Sequence, residues 1–271
     1  MKKYIETCKA VAFVTFKEWG AYRSHSMVSI FVAPVFFVVQ YFIWTAVYST
    51  GIETVTNTMA LEDIIRYFAI TALISYLTMD FADWNLSMLV RTGRFLTFSL
   101  RPMNHMFFAF SQKVGHRILG FIFEFIPCVL IFVFLIRIDL RPAYVGWSMI
   151  SVALAFMMTF FVNYTIGLAS FWVVQSGGIR SVYILFGSIF SGALIPLIFF
   201  PYPLQVIQFF LPFQYIFYVP TMVFLGSYSL GGIELSIPAI VGIQGVAVAL
   251  AGLLCNFIYS IAMKRFTAVG A

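Results

Sequence analysis

Of 271 residues, 62% are apolar and only 10% carry a formal charge, which excludes a soluble globular domain, whose surface needs far more charge. A net charge of +6 would suit a nucleic-acid binder in a soluble chain. Here the basic residues sit at the edges of apolar runs, so no nucleic-acid partner is expected and their placement reports topology.

Residues 1–23 are predicted to form an amphipathic helix on the cytoplasmic membrane face. At 100° per residue, Lys2, Glu6, Lys9 and Lys17 share one side and Tyr4, Cys8, Val11, Ala12, Trp19 and Tyr22 the other, a pattern suited to anionic headgroups. No small-residue cleavage site follows a short apolar run, so no cleaved signal peptide is expected. Six spans follow from the apolar runs, at about Met27–Tyr48, Ile64–Trp84, Val114–Ile136, Val145–Val173, Ser181–Phe200 and Ile237–Met263. With the N-terminus inside, 13 of the 16 Lys and Arg residues fall on the cytoplasmic side, leaving only Arg66, Arg137 and Arg141 outside. That asymmetry places both ends in the cytoplasm. The fold class is therefore all-α: a polytopic membrane protein, one transmembrane domain of six helices.

The longest cytoplasmic connection, 85–112, contains Arg91, Gly93, Arg94, Phe95, Leu96, Phe98, Leu100, Arg101 and Pro102. Gly93 ends one helix and Pro102 ends the next. A short helix with apolar residues flanked by arginines has a shape that docks into a partner's groove. On the opposite face, the 53 residues between Arg180 and Glu234 hold no charge but five prolines, Pro196, Pro201, Pro203, Pro212 and Pro220. That run is too long for one span and too broken for two, so 201–236 is expected to dip into the membrane and return. Gln205, Gln208 and Gln214 are its long polar side chains, expected with Pro201, Pro203 and Pro212 to gate a path or to seal a dimer above it. Aromatic residues make up 19% of the chain, and Tyr41 and Trp44 in the first span are candidates to line that path for a hydrophobic substrate.

Charged and amide side chains inside the spans need partners. Asp80 and Asp83 share a face of the second span, with Arg91, Arg94 and Lys17 as expected counterions, and Glu124 in the third can reach Arg117. Asn163 and Gln244 are expected to tie helices together, and Gly242, Gly245, Ala249 and Gly252 to form a close-packing stripe, as are Gly187 and Ser191. A relay through Asp80, Asp83 and Glu124 would make a proton-coupled secondary transporter, the alternative reading. The sequence holds no Gly-rich loop ending in Gly-Lys-Ser/Thr, no His-Glu-x-x-His, no Cys-x-x-Cys and no Gly-x-Ser-x-Gly, and no metal site is expected. His25, His105 and His116 are scattered, and the three cysteines, Cys8, Cys128 and Cys255, frame no disulfide. A membrane-embedded enzyme would have to draw on His105 and His116 near Glu124.

The Gly93–(x)6–Leu100-Arg101-Pro102 arrangement, the amphipathic N-terminal helix and the broken Phe-Phe-Pro-Tyr-Pro…Leu-Pro-Phe-Gln-Tyr…Tyr-Val-Pro segment resemble the permease subunits of type-2 ATP-binding-cassette (ABC) transporters. The resemblance covers nearly the whole chain in layout. It implies a non-catalytic subunit in a prokaryotic inner membrane, exporting a lipid, peptide or drug-like substrate. It further implies two copies of a separate ABC ATPase, which hold ATP and magnesium and dock on the loop around Arg91–Pro102. A second permease subunit, identical or homologous, would complete the path, with ATP-driven motion passing to the first, second and fifth spans. One departure from the family pattern is Arg94, where many members carry an acidic residue.

Overall fold

Helix ends fall where local chemistry stops a helix. The computed structural model describes residues 2–20, 29–51, 58–99, 103–173 and 177–265; Arg23, His25, Arg101 and Pro102 lie outside them. Helix α1 spans Lys2–Gly20, α2 Val32–Ser49, α3 Leu61–Thr78 and α4 Ala82–Arg91. The five-residue α5, Phe95–Ser99, follows Gly93, whose φ of +70° is the left-handed turn that glycine adopts without penalty. Helix α6 runs His105–Leu135 and α7 Val145–Leu168. Helix α8 covers Gly177–Phe190. Two short helices follow, α9 at Tyr202–Phe210 and α10 at Tyr218–Leu225. An antiparallel hairpin pairs β1, Ser229–Leu230, with β2, Ile233–Glu234. Its turn residues Gly231 and Gly232 both have positive φ, as the tightest hairpin turns require. Helix α11, Ile237–Arg265, closes the chain.

Among the described residues five segments are long and apolar enough to cross a bilayer: α2, α3 with α4, α6, α7 and α11. The run expected as the fifth span is shorter than predicted. Helix α8 ends at Phe190, ten residues early, because Gly192 turns the chain at φ +83°. Its fourteen residues reach about 21 Å, short of the roughly 30 Å hydrocarbon core.

Two helices depart from regular geometry. Helix α6 widens into π-turns at Phe121–Phe125 and Ile131–Leu135, on either side of Pro127. Proline lacks an N–H and crowds the carbonyl four residues back, and π-turns absorb that mismatch without ending the helix. The predicted second span breaks at Met79–Phe81, between α3 and α4, a break that no Gly or Pro announces.

Helix α3 is the centre of the bundle. Ile64, Tyr67, Phe68 and Ala72 pack with Phe37, Phe132, Met158, Tyr218 and Val241. A second cluster joins Ala82, Leu86, Phe95, Met106, Phe160, Tyr164 and Cys255. In lipid such packing acts through close contact rather than exclusion of water, so interhelical hydrogen bonds matter more. Gln244 supplies three: it accepts from Ser151 Oγ at 2.7 Å and donates to the carbonyls of Ser151 and Tyr215 at 3.0 Å each. The predicted small-residue stripe is only partly used. Gly252 lies against Phe161, whereas Gly242 meets open space and Ala249 is exposed. The packed stripe is instead Val241, Gln244, Val248, Cys255 and Ala262.

Helix α1 packs one side against α6. Its Cys8–Val11–Ala12–Thr15 side is covered by protein, and a side chain at Gly115 of α6 would run into the Ala12 carbonyl. The outward side carries Phe13, with Lys17 Nζ 4.7 Å above its ring.

Candidate functional site

The break between α3 and α4 creates the polar centre of the molecule. In a continuous helix the Tyr76 carbonyl would accept from the Asp80 N–H. Here it accepts from the Arg117 guanidinium, while Asn163 Nδ2 donates to the Asp80 carbonyl and to its Oδ2, both at 3.3 Å. Unwound backbone inside a membrane persists only when such partners satisfy it.

The expected counterions are corrected by the structure. Asp80 pairs with Lys113 of α6 at 2.9 Å and Asp83 with Arg180 of α8 at 3.0 Å. Arg91, the last residue of α4, and Arg94, beyond Gly93, are both exposed. An unbroken helix would have placed the two acids side by side on one face; the break aims them at different helices. Glu124 does meet Arg117, at 3.8 Å. Asp83 lies in the first turn of α4, where the helix dipole favours a carboxylate. A side chain on Gly167 of α7 would come within 2.9 Å of the Asp83 Cα, so α4 and α7 touch backbone to backbone at this residue.

Above this centre opens a cavity of about 500 Å³ between α2, α3, α7 and α8. Asp80, Asp83, Arg180 and Asn163 line one end, while Ile216 and Phe217, ahead of α10, line the other; Val32, Phe36, Ala72 and Ile184 supply apolar wall. The cleft thus has an ionic end and a greasy length, suited to a molecule with both characters. Trp44 lines a different cavity, of about 490 Å³, with Gln40, Leu194 and Ile198, and its ring lies tilted 5.0 Å from that of Phe199. Tyr41 faces outward beside Phe42.

The proline-rich segment meets the cleft through Ile216 and Phe217. Pro201, Pro203 and Pro212 stand at the starts of α9 and of the 3-10 turn Pro212–Tyr215, where the missing N–H costs nothing. Two of its three glutamines are hydrogen-bonded through both amide atoms. Gln205 Nε2 donates to the carbonyls of Ile198 and Phe200 at 2.9 and 2.7 Å, and its Oε1 accepts from Gly231 N–H at 2.8 Å. Gln214 Nε2 donates to the Phe209 carbonyl at 2.6 Å, and its Oε1 accepts from Tyr228 Oη at 2.8 Å. Gln208 is fully buried on the same turn. None of the three lines the cleft; Gln205 and Gln214 hold the segment in shape, whereas the buried Gln208 amide meets no hydrogen-bond partner among the described residues. Tyr67 Oη binds the Gly192 carbonyl at 2.7 Å, and Thr71 meets Thr221 at 3.1 Å, fastening the segment to α3.

At the opposite end, the loop around α5 divides into inward and outward residues. Phe95 is 1% exposed, with its ring 5.2 Å from His105 and 5.1 Å from Phe171. Phe98 is half-buried, 4.8 Å from both His105 and Phe108. Both were candidates for direct docking; Phe95 is enclosed, while Phe98 is partly accessible. They clamp the loop onto His105, whose Nδ1 lies 2.9 Å from Tyr164 Oη. Arg91, Arg94, Leu96 and Thr97 remain on the outer surface.

Residues 34–270 match the family model described as ABC-2 family transporter protein. Searches of curated proteins and of solved structures gave no match. A helical membrane bundle with a lined cleft and a match spanning most of its length leave one conclusion: the chain belongs to the ABC-2 transporter family, as a multi-pass membrane permease subunit of an ABC transporter.

Proposed function

We propose that this permease exports a hydrophobic or amphipathic substrate through the cleft between α2, α3, α7 and α8, driven by a separate ATPase that binds ATP and magnesium. The observation that carries the reading is the cleft itself, with apolar walls running from an ionic end to the proline-rich segment. Arg91, Arg94 and Leu96 form the docking face for the ATPase. Gly93 sets the angle of that face, Phe95 and Phe98 transmit its movement to α6 and α7, and Arg101 and Pro102, beyond the described residues, complete the loop. Two ATPase copies and a second permease, identical or homologous, make the working assembly. In this arrangement both chain ends are cytoplasmic, α1 lies at the inner leaflet, and 201–236 re-enters the membrane from outside.

The test is transport in vesicles carrying the permease and its co-purifying ATPase, followed with an amphipathic fluorescent probe. ATP with magnesium should drive accumulation, and a proton gradient without ATP should not. Accumulation driven by the gradient in vesicles lacking the ATPase would instead establish the relay through Asp80, Asp83 and Glu124.

A further inference from the structure

Two buried ion pairs flank the cleft, and they differ in kind. In the Lys113–Asp80 pair the side chains are 6% and 0% exposed, and Asn163 adds a hydrogen bond to the same carboxylate. Separating it would strand both charges in the protein. In the Arg180–Asp83 pair Asp83 is 6% exposed but Arg180 is 29% exposed, so the guanidinium can leave and still reach a polar environment.

The helix bearing Arg180 is also unlike its neighbours. None of the fourteen residues of α8 is fully buried, whereas eleven of the eighteen in α3 are. Its two ends are held differently. Past its C-terminal end, the Ser191 carbonyl accepts from Tyr218 N–H at 2.9 Å, and the Gly192 carbonyl accepts from Tyr67 Oη at 2.7 Å. Its first turn is fixed by the ion pair to Asp83, and midway Tyr183 lies 6.1 Å from the ring of Phe213. Asp83 itself belongs to a fixed frame, because its backbone abuts Gly167.

We propose that the Asp83–Arg180 pair is a latch, and that α8 is the movable wall of the cleft, hinged at Ser191–Gly192. The role in transport rests on reading the cleft as the substrate path. Tyr183, Ile184, Gly187 and Ser188 face the cavity from α8, so motion of this helix changes the width of the cleft directly. Arg180 lies eleven residues before Ser191, about 16 Å along the helix. A swing of about 15°, ordinary for a hinged element, moves the Arg180 end by roughly 4 Å, enough to part the pair. As a latch, Arg180 and Asp83 act as positioning residues that set the cleft's width.

Hydrogen–deuterium exchange of the full chain in lipid nanodiscs tests the latch without ATPase or substrate. In Asp83→Asn and in Arg180→Gln, peptides from 177–190 should exchange about tenfold faster, while those from α3 and α4 keep their parental rates. Arg180→Lys keeps the charge and should return the peptide to within about threefold of the parent. Unchanged exchange of 177–190 in Arg180→Gln overturns the latch, as does acceleration spread equally to α3 and α4, which would mark the pair as a general stabiliser. With the co-purifying ATPase and ATP added to the parent chain, the same peptide should exchange faster than without nucleotide. A peptide indifferent to nucleotide while transport proceeds overturns the moving wall and leaves the transport reading standing.

Discussion

Replacing Lys113 by Met removes one side of the most enclosed ion pair and leaves the other. At 2.9 Å and an effective dielectric constant of about 20, the pair attracts by about 6 kcal/mol. Most of that is offset by the cost of burying two charges, so the pair's net contribution is small. The cost of breaking it is not small, because among the described residues the Asp80 carboxylate then keeps only the Asn163 amide at 3.3 Å as a hydrogen-bond partner. A buried carboxylate stripped of its counterion costs about 3–5 kcal/mol, which for a chain of this size lowers the unfolding temperature by roughly 6–10 °C. The assay is thermal unfolding of the detergent-purified chain, read by the fraction remaining monodisperse after heating. Lys113→Met should show the full loss, and adding Asp80→Asn should recover most of it, since a neutral amide no longer needs a cation. A single variant as stable as the parent, or a double variant as unstable as the single, would refute the reasoning.

Two further substitutions probe how the proline-rich segment is held. Gly192→Ala meets both a left-handed φ of +83° and the Tyr67 hydroxyl, 2.6 Å from the new methyl; strain of about 1–2 kcal/mol plus displacement of Tyr67 should lower the unfolding temperature, and an unchanged value would contradict the turn. Gln244→Leu removes three hydrogen bonds joining α11, α7 and the turn before α10, and should cost about 1–3 kcal/mol, with faster amide exchange at 212–225 as its local signature.

How much of this was legible in the sequence depends on whether the signal was local. The apolar runs mark each crossing helix, because a bilayer imposes its thickness on any chain that spans it, but the more polar ends escape them: α6 starts at His105, nine residues before the predicted Val114, and α4 runs to Arg91, seven beyond the predicted Trp84. Gly93, Pro201, Pro203 and Pro212 announce helix ends, because their restrictions are intrinsic to the residue. Asp80 was recognisable as costly, yet its partner was not, since Lys113 lies 33 positions away and the break that aims Asp80 at it contains no Gly or Pro. The end of α8 was signalled by Gly192, but an uncharged apolar run continues to Phe200 and hides the stop. Phe95 and Phe98 were read as outward anchors because a five-residue helix has too little periodicity to show which side faces in. His105, the residue they clamp, carried no pattern that would have placed it beneath them.

The outward and inward sides of the α5 loop give the most direct test of coupling to an ATPase. A photocrosslinking amino acid placed at Leu96, which is 44% exposed, should form an adduct with the ATP-binding subunit that co-purifies with the chain. The same group at Phe95, 1% exposed, should react only within the permease. Changing Arg91, Arg94 and Arg101 to Glu should abolish both the Leu96 adduct and co-purification, while membrane insertion is unaffected. An ATPase that stays bound after the triple change, with no adduct at Leu96, would contradict docking at this loop.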